Sequence, residues 1–287
     1  MTKWHRNYLV RRYAYGPFLK VACWLLFGGR FLIPQFIYRL RRPIFVVGVS
    51  RSGTTAFMEL FERHRDLCNW TEAAQIMDLG FYDPELEHTK NAADLKTFDA
   101  FRIRFLFGVR TWMNGKKRFV NKHPENSLRI PYIRAIFPDA IFIHLMLDGN
   151  AVVFSNYSQT RRDAFRKNWP LGQFPKPPNW RSRLELPLLD QFAHQWVEII
   201  REIRRQAGAQ LDESTYTEIS YEDLCCRTHQ ILRDLDEFCG LDPNRRLYDE
   251  IPVELPSQNY KWKKELSDDE KKLIEEIIGS LKKELGK

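Results

Sequence analysis

The chain has 287 residues, 44 % of them apolar and 29 % charged, with a formal net charge of +8. That much apolar surface supports a sizeable core and excludes disorder as the main state; the 14 Gly and 15 Pro follow no period, which excludes a collagen-like chain. The five Cys are odd in number and unpatterned, so they read as reduced thiols of a cytoplasmic protein, and no Cys/His spacing suggests zinc.

Residues 1–42 form a basic, aromatic arm. They hold nine Lys/Arg, no Asp or Glu, and ten aromatics from Trp4 to Tyr38. The rest of the chain carries 36 Lys/Arg against 37 acids, so the positive charge belongs to the arm. Its most apolar stretch, Val21 to Tyr38, is broken by Gly28-Gly29, Arg30 and Pro34. A spanning helix needs ~20 mostly apolar residues, so none is expected here. The late apolar run lacks a small-residue cleavage site, which argues against a signal peptide, and the absence of Ser argues against a transit peptide. Two readings remain open: an extension packed on the domain with its cations in water, or peripheral contact with an anionic membrane surface. A nucleic-acid partner is not expected, because the basic excess sits in this one arm and no recognition motif accompanies it.

From residue 43 onward, strand-like and helix-like runs alternate. Ile44-Phe45-Val46-Val47-Gly48-Val49 is short, apolar and unbroken, which predicts a strand buried on both faces of a parallel sheet. Ser50-Arg51-Ser52-Gly53-Thr54-Thr55 follows, then helical spacing at Phe57, Leu60 and Phe61. Ala140–Leu147 is a second such strand, with Asp148-Gly149 and helix-like Ala151–Tyr157 after it. Weaker strands are predicted at Arg118–Asn121 and Thr215–Ile219, and helices at Ser127–Phe137, Leu188–Gln206 and His229–Cys239. Ser267-Asp268-Asp269-Glu270 is a capping box opening a last helix. Asp163–Pro187, with its five prolines, reads as a long loop, either a lid or a surface excursion. The alternation predicts an α/β layered domain of the P-loop type over residues 43–287, with a central, mainly parallel sheet flanked by helices.

Gly48 and Gly53 bracket four residues and Thr54-Thr55 follow, which matches G-x-x-x-x-G-K-[ST] except that Thr54 stands at the Lys position. Backbone N–H groups of such a turn, with the helix N-terminus behind them, bind a phosphate without side-chain charge. The missing Lys argues against ordinary ATP or GTP hydrolysis, and Arg51 is the one cation inside the loop. A P-loop kinase or NTPase remains the alternative, supported by the apolar strand ending at Asp148, which could hold Mg²⁺.

Arg51-Ser52-Gly53-Thr54-Thr55 after an apolar strand resembles the 5′-phosphosulfate loop of sulfotransferases, closest to the bacterial proteins and the tyrosylprotein and heparan-type branches. The resemblance covers roughly residues 43 to 285 by motif order. Asn121-Lys122-His123-Pro124-Glu125-Asn126 is similar to the family's Lys-x-Pro motif, and Phe142 through Ser155 to its 3′-phosphate segment. Tyr221-Glu222-Asp223-Leu224 and Asn259-Tyr260-Lys261-Trp262 are similar to two later family segments, the last of which closes over the nucleotide. The resemblance implies transfer of a sulfuryl group from 3′-phosphoadenosine 5′-phosphosulfate (PAPS) to a hydroxyl or amine acceptor, without a metal. It implies donor contacts from Arg51, Ser52, Gly53, Thr54, Thr55, Ser155, Tyr221 and Lys261, and a leaving phosphate stabilised by Arg51 and Lys122. Glu72, just after Asn69-Trp70-Thr71, is the candidate general base, since a carboxylate beside Trp can have a raised pKa; a first-turn Glu capped by Thr71 is the other reading. His123 and His144 are runners-up, His144 reading better as a core histidine. One departure stands out: Leu147 occupies the position of a family Arg that grips the 3′-phosphate, so Arg161 or Arg162 would have to supply that charge, or the protein is a weakened, non-catalytic relative.

Overall fold

The computed structural model describes residues 40–70, 74–77, 87–160, 175–257 and 259–284. Among them, β1 (Ile44–Val47), β2 (Leu67–Asn69), β3 (Arg118–Lys122), β4 (Ile141–Met146) and β5 (Tyr216–Ser220) form one five-stranded sheet in the order β2-β3-β1-β4-β5. Every pairing is parallel. β1 is the central strand and all four of its residues are buried, as an unbroken apolar run requires.

Alternation along the strands builds two cores. Phe45, Val47, Phe119 and Phe142 face one side, where α3 (Thr97–Met113), α4 (Ile130–Ile136), α5 (Gly149–Thr160), α6 (Leu188–Gln210) and α11 (Asp268–Glu284) cover them. Ile44, Val46, Val120, Ile141, Ile143 and Leu145 face the other, under α1 (Thr54–Phe61), α7 (Tyr221–Cys226), α8 (Thr228–Cys239) and α9 (Arg245–Glu250). Parallel strands need crossover connections, and helices on both faces are the consequence. Two short helices, α2 (Ala74–Met77) and α10 (Lys261–Glu265), complete the described set.

The strands and helices anticipated from sequence are present with ends moved by a few residues, as frayed termini allow. α6 buries Phe192, Trp196, Ile199, Ile200 and Ile203 on one face, the 3.6-residue period of an amphipathic helix. At the start of α11, Ser267 N–H donates to Glu270 Oε2 at 2.8 Å and Glu270 N–H to Ser267 Oγ at 3.2 Å, completing the capping box. α3 was not anticipated. Its sequence mixes aromatics with Arg102, which is wholly buried and donates to the Ile76 carbonyl and to Asp99, so no clean apolar stripe marks the helix. Residues 163–174 of the proline-rich stretch lie outside the described residues; Trp180–Arg183 in its remainder is a 3-10 turn.

Candidate active site at the ends of the central strands

The order places β1 between β3 and β4: the chain leaves the carboxyl end of β1 toward the β3–β2 side and that of β4 toward β5, in opposite directions. That switch point opens the crevice where ligands bind in open α/β sheets. The loop after β1 fills it. Gly48 has φ +153° and a Cβ there would lie 2.5 Å from the Leu145 carbonyl oxygen, so the β1–β4 approach requires glycine. Ser127 clips the loop to the segment after β3: its Oγ accepts from Gly48 N–H and donates to Gly48 C=O, both at 2.9 Å. Ser52 N–H closes the turn on Val49 C=O at 3.1 Å.

Gly53 then takes φ +83° and caps α1 without a side chain, which leaves the first-turn N–H groups to an anion. A Cβ on Gly53 would lie 2.3 Å from Cδ2 of Tyr221, whose ring packs directly on the loop. Burial, with the Cys225 thiol beside it, pushes the Tyr221 phenol up to about 12, so it is neutral. The hydroxyls of Ser50 and Ser52 are buried and have no hydrogen-bond partner among the described residues. Orphaned hydroxyls next to open helix N–H groups fit a phosphate oxygen.

Lys122 reaches this loop from the neighbouring strand. It pairs in register with Val46, is 3 % exposed, and its Nζ donates to Thr55 Oγ1 at 3.2 Å. A buried cation at the loop is thus supplied by β3 rather than by the loop itself. His123 follows, its Nδ1 accepting from Glu125 N–H at 3.3 Å. Asn126 donates to Asn121 at 2.7 Å, and Asn121 to the Trp70 carbonyl. This pair fixes the chain two residues before Glu72; Glu72 itself lies outside the described residues.

From the other side, α5 docks on the loop. Arg51 Nε donates to Ser155 Oγ at 3.2 Å and Asn156 Nδ2 to Ser50 C=O at 3.4 Å. Arg51 holds this position with φ +74°, a backbone conformation unusual for arginine. Glu222, next to Tyr221, joins three segments. Its Oε1 accepts from Asp148 N–H and Asn259 Nδ2, each at 3.1 Å, and its Oε2 from Ser220 Oγ at 3.2 Å. Asn259 in turn leads into Lys261, exposed at the start of α10. So Arg51, Ser52, Gly53, Thr54, Thr55, Lys122, Ser155 and Tyr221 come together around one loop, while Lys261 is tied to it only through Asn259, two residues earlier. The sequence motifs contain Asn121, Asn126 and Glu222 but give them no role, and Ser127 stands outside the motifs; all four act as supports and carry no chemistry of their own.

Leu147 is buried and lines a cavity of about 420 Å³ with Trp196, Glu222 and Lys282. Arg161 and Arg162 lie outside the described residues. His144 is fully buried, with Nδ1 2.8 Å from the Tyr216 hydroxyl and 3.2 Å from Glu218 Oε1, the environment of a core histidine. Among the described residues no group of three or more His, Cys, Asp or Glu side chains is placed to hold a metal ion.

A family model described as "Sulfotransferase family" matches residues 43–245, well over half of the chain. The chain belongs to the sulfotransferase family. The match begins where the basic arm ends and stops before Lys261, so the phosphate loop, Lys122, Ser155 and Tyr221 fall inside it. Solved sulfotransferases share the fold. A sulfotransferase domain from the curacin biosynthetic pathway superposes with a TM-score of 0.53 at 17 % identity, over 85 % of this chain and 98 % of that one. The enzyme from Alicyclobacillus acidocaldarius gives 0.54 at 17 %, over 87 % and 97 %. One from Mycobacterium tuberculosis H37Rv gives 0.58 at 12 %, over 96 % and 85 %. No curated protein sequence matches this sulfotransferase.

Proposed function

We propose that this sulfotransferase moves the sulfuryl group of PAPS to a hydroxyl or amine acceptor by in-line displacement. The observation that carries the reading is the Lys122 ammonium, buried and 3.2 Å from Thr55 Oγ1 at the first turn behind the loop. In-line sulfuryl transfer leaves little covalent work to the protein, so positioned charge dominates. The S–O bond to the 5′-phosphate breaks as the acceptor oxygen or nitrogen bonds to sulfur. Negative charge then grows on the phosphate, where Lys122, Arg51 and the α1 N–H groups receive it. Ser52, Gly53, Thr54 and Thr55 form the cradle, Ser155 and Lys261 hold the nucleotide side, and Tyr221 packs the loop in place. Glu72 takes the acceptor proton.

The experiment is turnover with sulfur-labelled PAPS, with and without a chelator, against ATP with Mg²⁺. Label transfer that tolerates the chelator supports the reading; ATP-dependent phosphorylation, or nucleotide binding with no transfer, overturns it. Within that assay, Glu72→Gln is expected to keep nucleotide affinity and lose transfer. Transfer at the wild-type rate would move the base to His123. We also propose that the protein works in the cytoplasm, with residues 43–287 as one α/β domain and residues 1–42 as an arm suited either to packing on that domain or to peripheral contact with an anionic membrane.

A further inference from the structure

The amino ends of the strands form the edge of the sheet opposite the phosphate loop, and an apolar tip stands there. α3 runs out at Trp112 and Met113, Asn114-Gly115 turn the chain, and Lys117 and Arg118 N–H both bond Asp66 C=O, at 3.0 and 2.9 Å, on the way into β3. Trp112 is 57 % exposed and Met113 73 %. Two large apolar neighbours at the end of a turn are far from what water favours, and the rest of α3 buries Phe105 and Phe107 instead.

The charge around the tip has a cationic surplus. Three cations, Arg65, Lys116 and Lys117, stand near two carboxylates: Lys117 engages both Asp66 and Asp242, at 3.2 and 2.9 Å. Arg65 lies 4.0 Å and 3.9 Å from the same two groups, and Lys116 Nζ donates to Arg65 C=O at 2.8 Å. The chain also enters the sheet at this edge. Arg42 C=O accepts from Arg118 Nε at 3.0 Å, just before β1. Residues 1–42, with nine cations and no acid, therefore join the fold beside a tip that is itself cationic. That arm cannot neutralise the tip, whereas a sheet of lipid phosphates neutralises both. An indole at such a boundary suits the headgroup layer, where its ring is dry and its N–H wet.

We propose that this edge of the folded domain docks on an anionic lipid surface. Trp112 and Met113 enter the headgroup region, Arg65 and Lys116 meet lipid phosphates, and the phosphate loop at the far ends of the strands faces water. The proposal does not rest on sulfuryl transfer, and its test reads binding alone. The full chain is sedimented with phosphatidylserine/phosphatidylcholine vesicles and with phosphatidylcholine vesicles, at low and high salt, next to Trp112→Ser/Met113→Ser and Arg65→Glu/Lys116→Glu variants. Circular dichroism and melting temperature confirm that each is folded. Wild type is expected to bind the anionic vesicles in a salt-sensitive way. The Trp112/Met113 variant is expected to bind roughly tenfold more weakly, from the apolar area withdrawn. No binding by the wild type overturns the proposal. So does unchanged binding by both variants, which assigns the membrane contact to residues 1–42. A fall in melting temperature with unchanged binding means that the chain itself covers the tip, and also overturns it.

Discussion

Gly53 is the point where loop, helix and Tyr221 meet, and Gly53→Ala is expected to destabilise far more than one methyl group elsewhere. The backbone stands at φ +83°, and the new Cβ would lie 2.3 Å and 2.4 Å from two ring carbons of Tyr221. A left-handed conformation costs a non-glycine residue about 1–2 kcal/mol. Pushing the packed ring aside adds about 1–3 kcal/mol. Together these give about 2–5 kcal/mol, or a fall in Tm of roughly 4–10 °C for a domain of this size. The two contributions can be separated. Tyr221→Ala in the Gly53→Ala background removes the overlap and leaves the backbone strain, so a double-mutant cycle is expected to show a coupling of about 1–3 kcal/mol. The assay is thermal and urea unfolding of the four proteins, with adenosine 3′,5′-bisphosphate binding as a second readout, since a displaced ring moves the phosphate cradle. A Gly53→Ala protein with wild-type Tm, or strictly additive effects, would refute the packing of Tyr221 on the loop.

Arg51→Ala and Lys122→Ala are each expected to lower kcat by ~10²–10³ with a small change in Tm, because both cations act on charge that grows in the transition state; unchanged kcat in either variant removes that residue from the mechanism. Burial holds His88 down to about 4 against an ordinary 6.5, so it stays neutral in the folded protein while the unfolded chain takes up the proton first. Stability is therefore lost as pH falls from 6.5 through about 4, by about 3 kcal/mol from this group, and His88→Gln is expected to flatten that part of a pH series of urea unfolding curves. At more acid pH Glu218 adds to the loss: burial raises its carboxyl, but hydrogen bonds from His144, Arg204 and Tyr216 outweigh that and hold it well below its ordinary 4.5. Leu147→Arg places a cation beside the 420 Å³ cavity at the end of β4 and is expected to tighten a 3′-phosphorylated nucleotide roughly ten- to hundredfold while leaving adenosine 5′-monophosphate unchanged; calorimetric titration showing equal tightening for both means the position faces something other than the 3′-phosphate.

Much of this site was legible in the chain because its signals are local. An unbroken apolar strand, two glycines at fixed spacing and a helix behind them are neighbours in sequence, and their backbone geometry follows from steric rules alone. Gly48 and Gly53 could be read as required glycines before any contact was known. β1, β4 and α6 were equally readable, since periodicity is a property of the segment itself. What tertiary structure decided was whatever depends on two distant segments meeting. Lys122 looked like any lysine by composition; only the parallel β1–β3 register sets it beside Val46 and within reach of Thr55. Ser127, Asn121, Asn126 and Glu222 hold the site through partners 5 to 79 residues away, and although three of them lie in recognisable motifs, nothing in their local sequence announces which partners they meet. α3 stayed hidden because a wholly buried Arg102 interrupts its apolar stripe, and the burial is tolerable only because the Ile76 carbonyl and Asp99 meet the guanidinium. Leu147 was readable as a missing cation, but that its side chain closes one wall of a cavity with Trp196 and Lys282 is set by how α6 and α11 pack on β4, a matter of long-range contact that no single segment encodes.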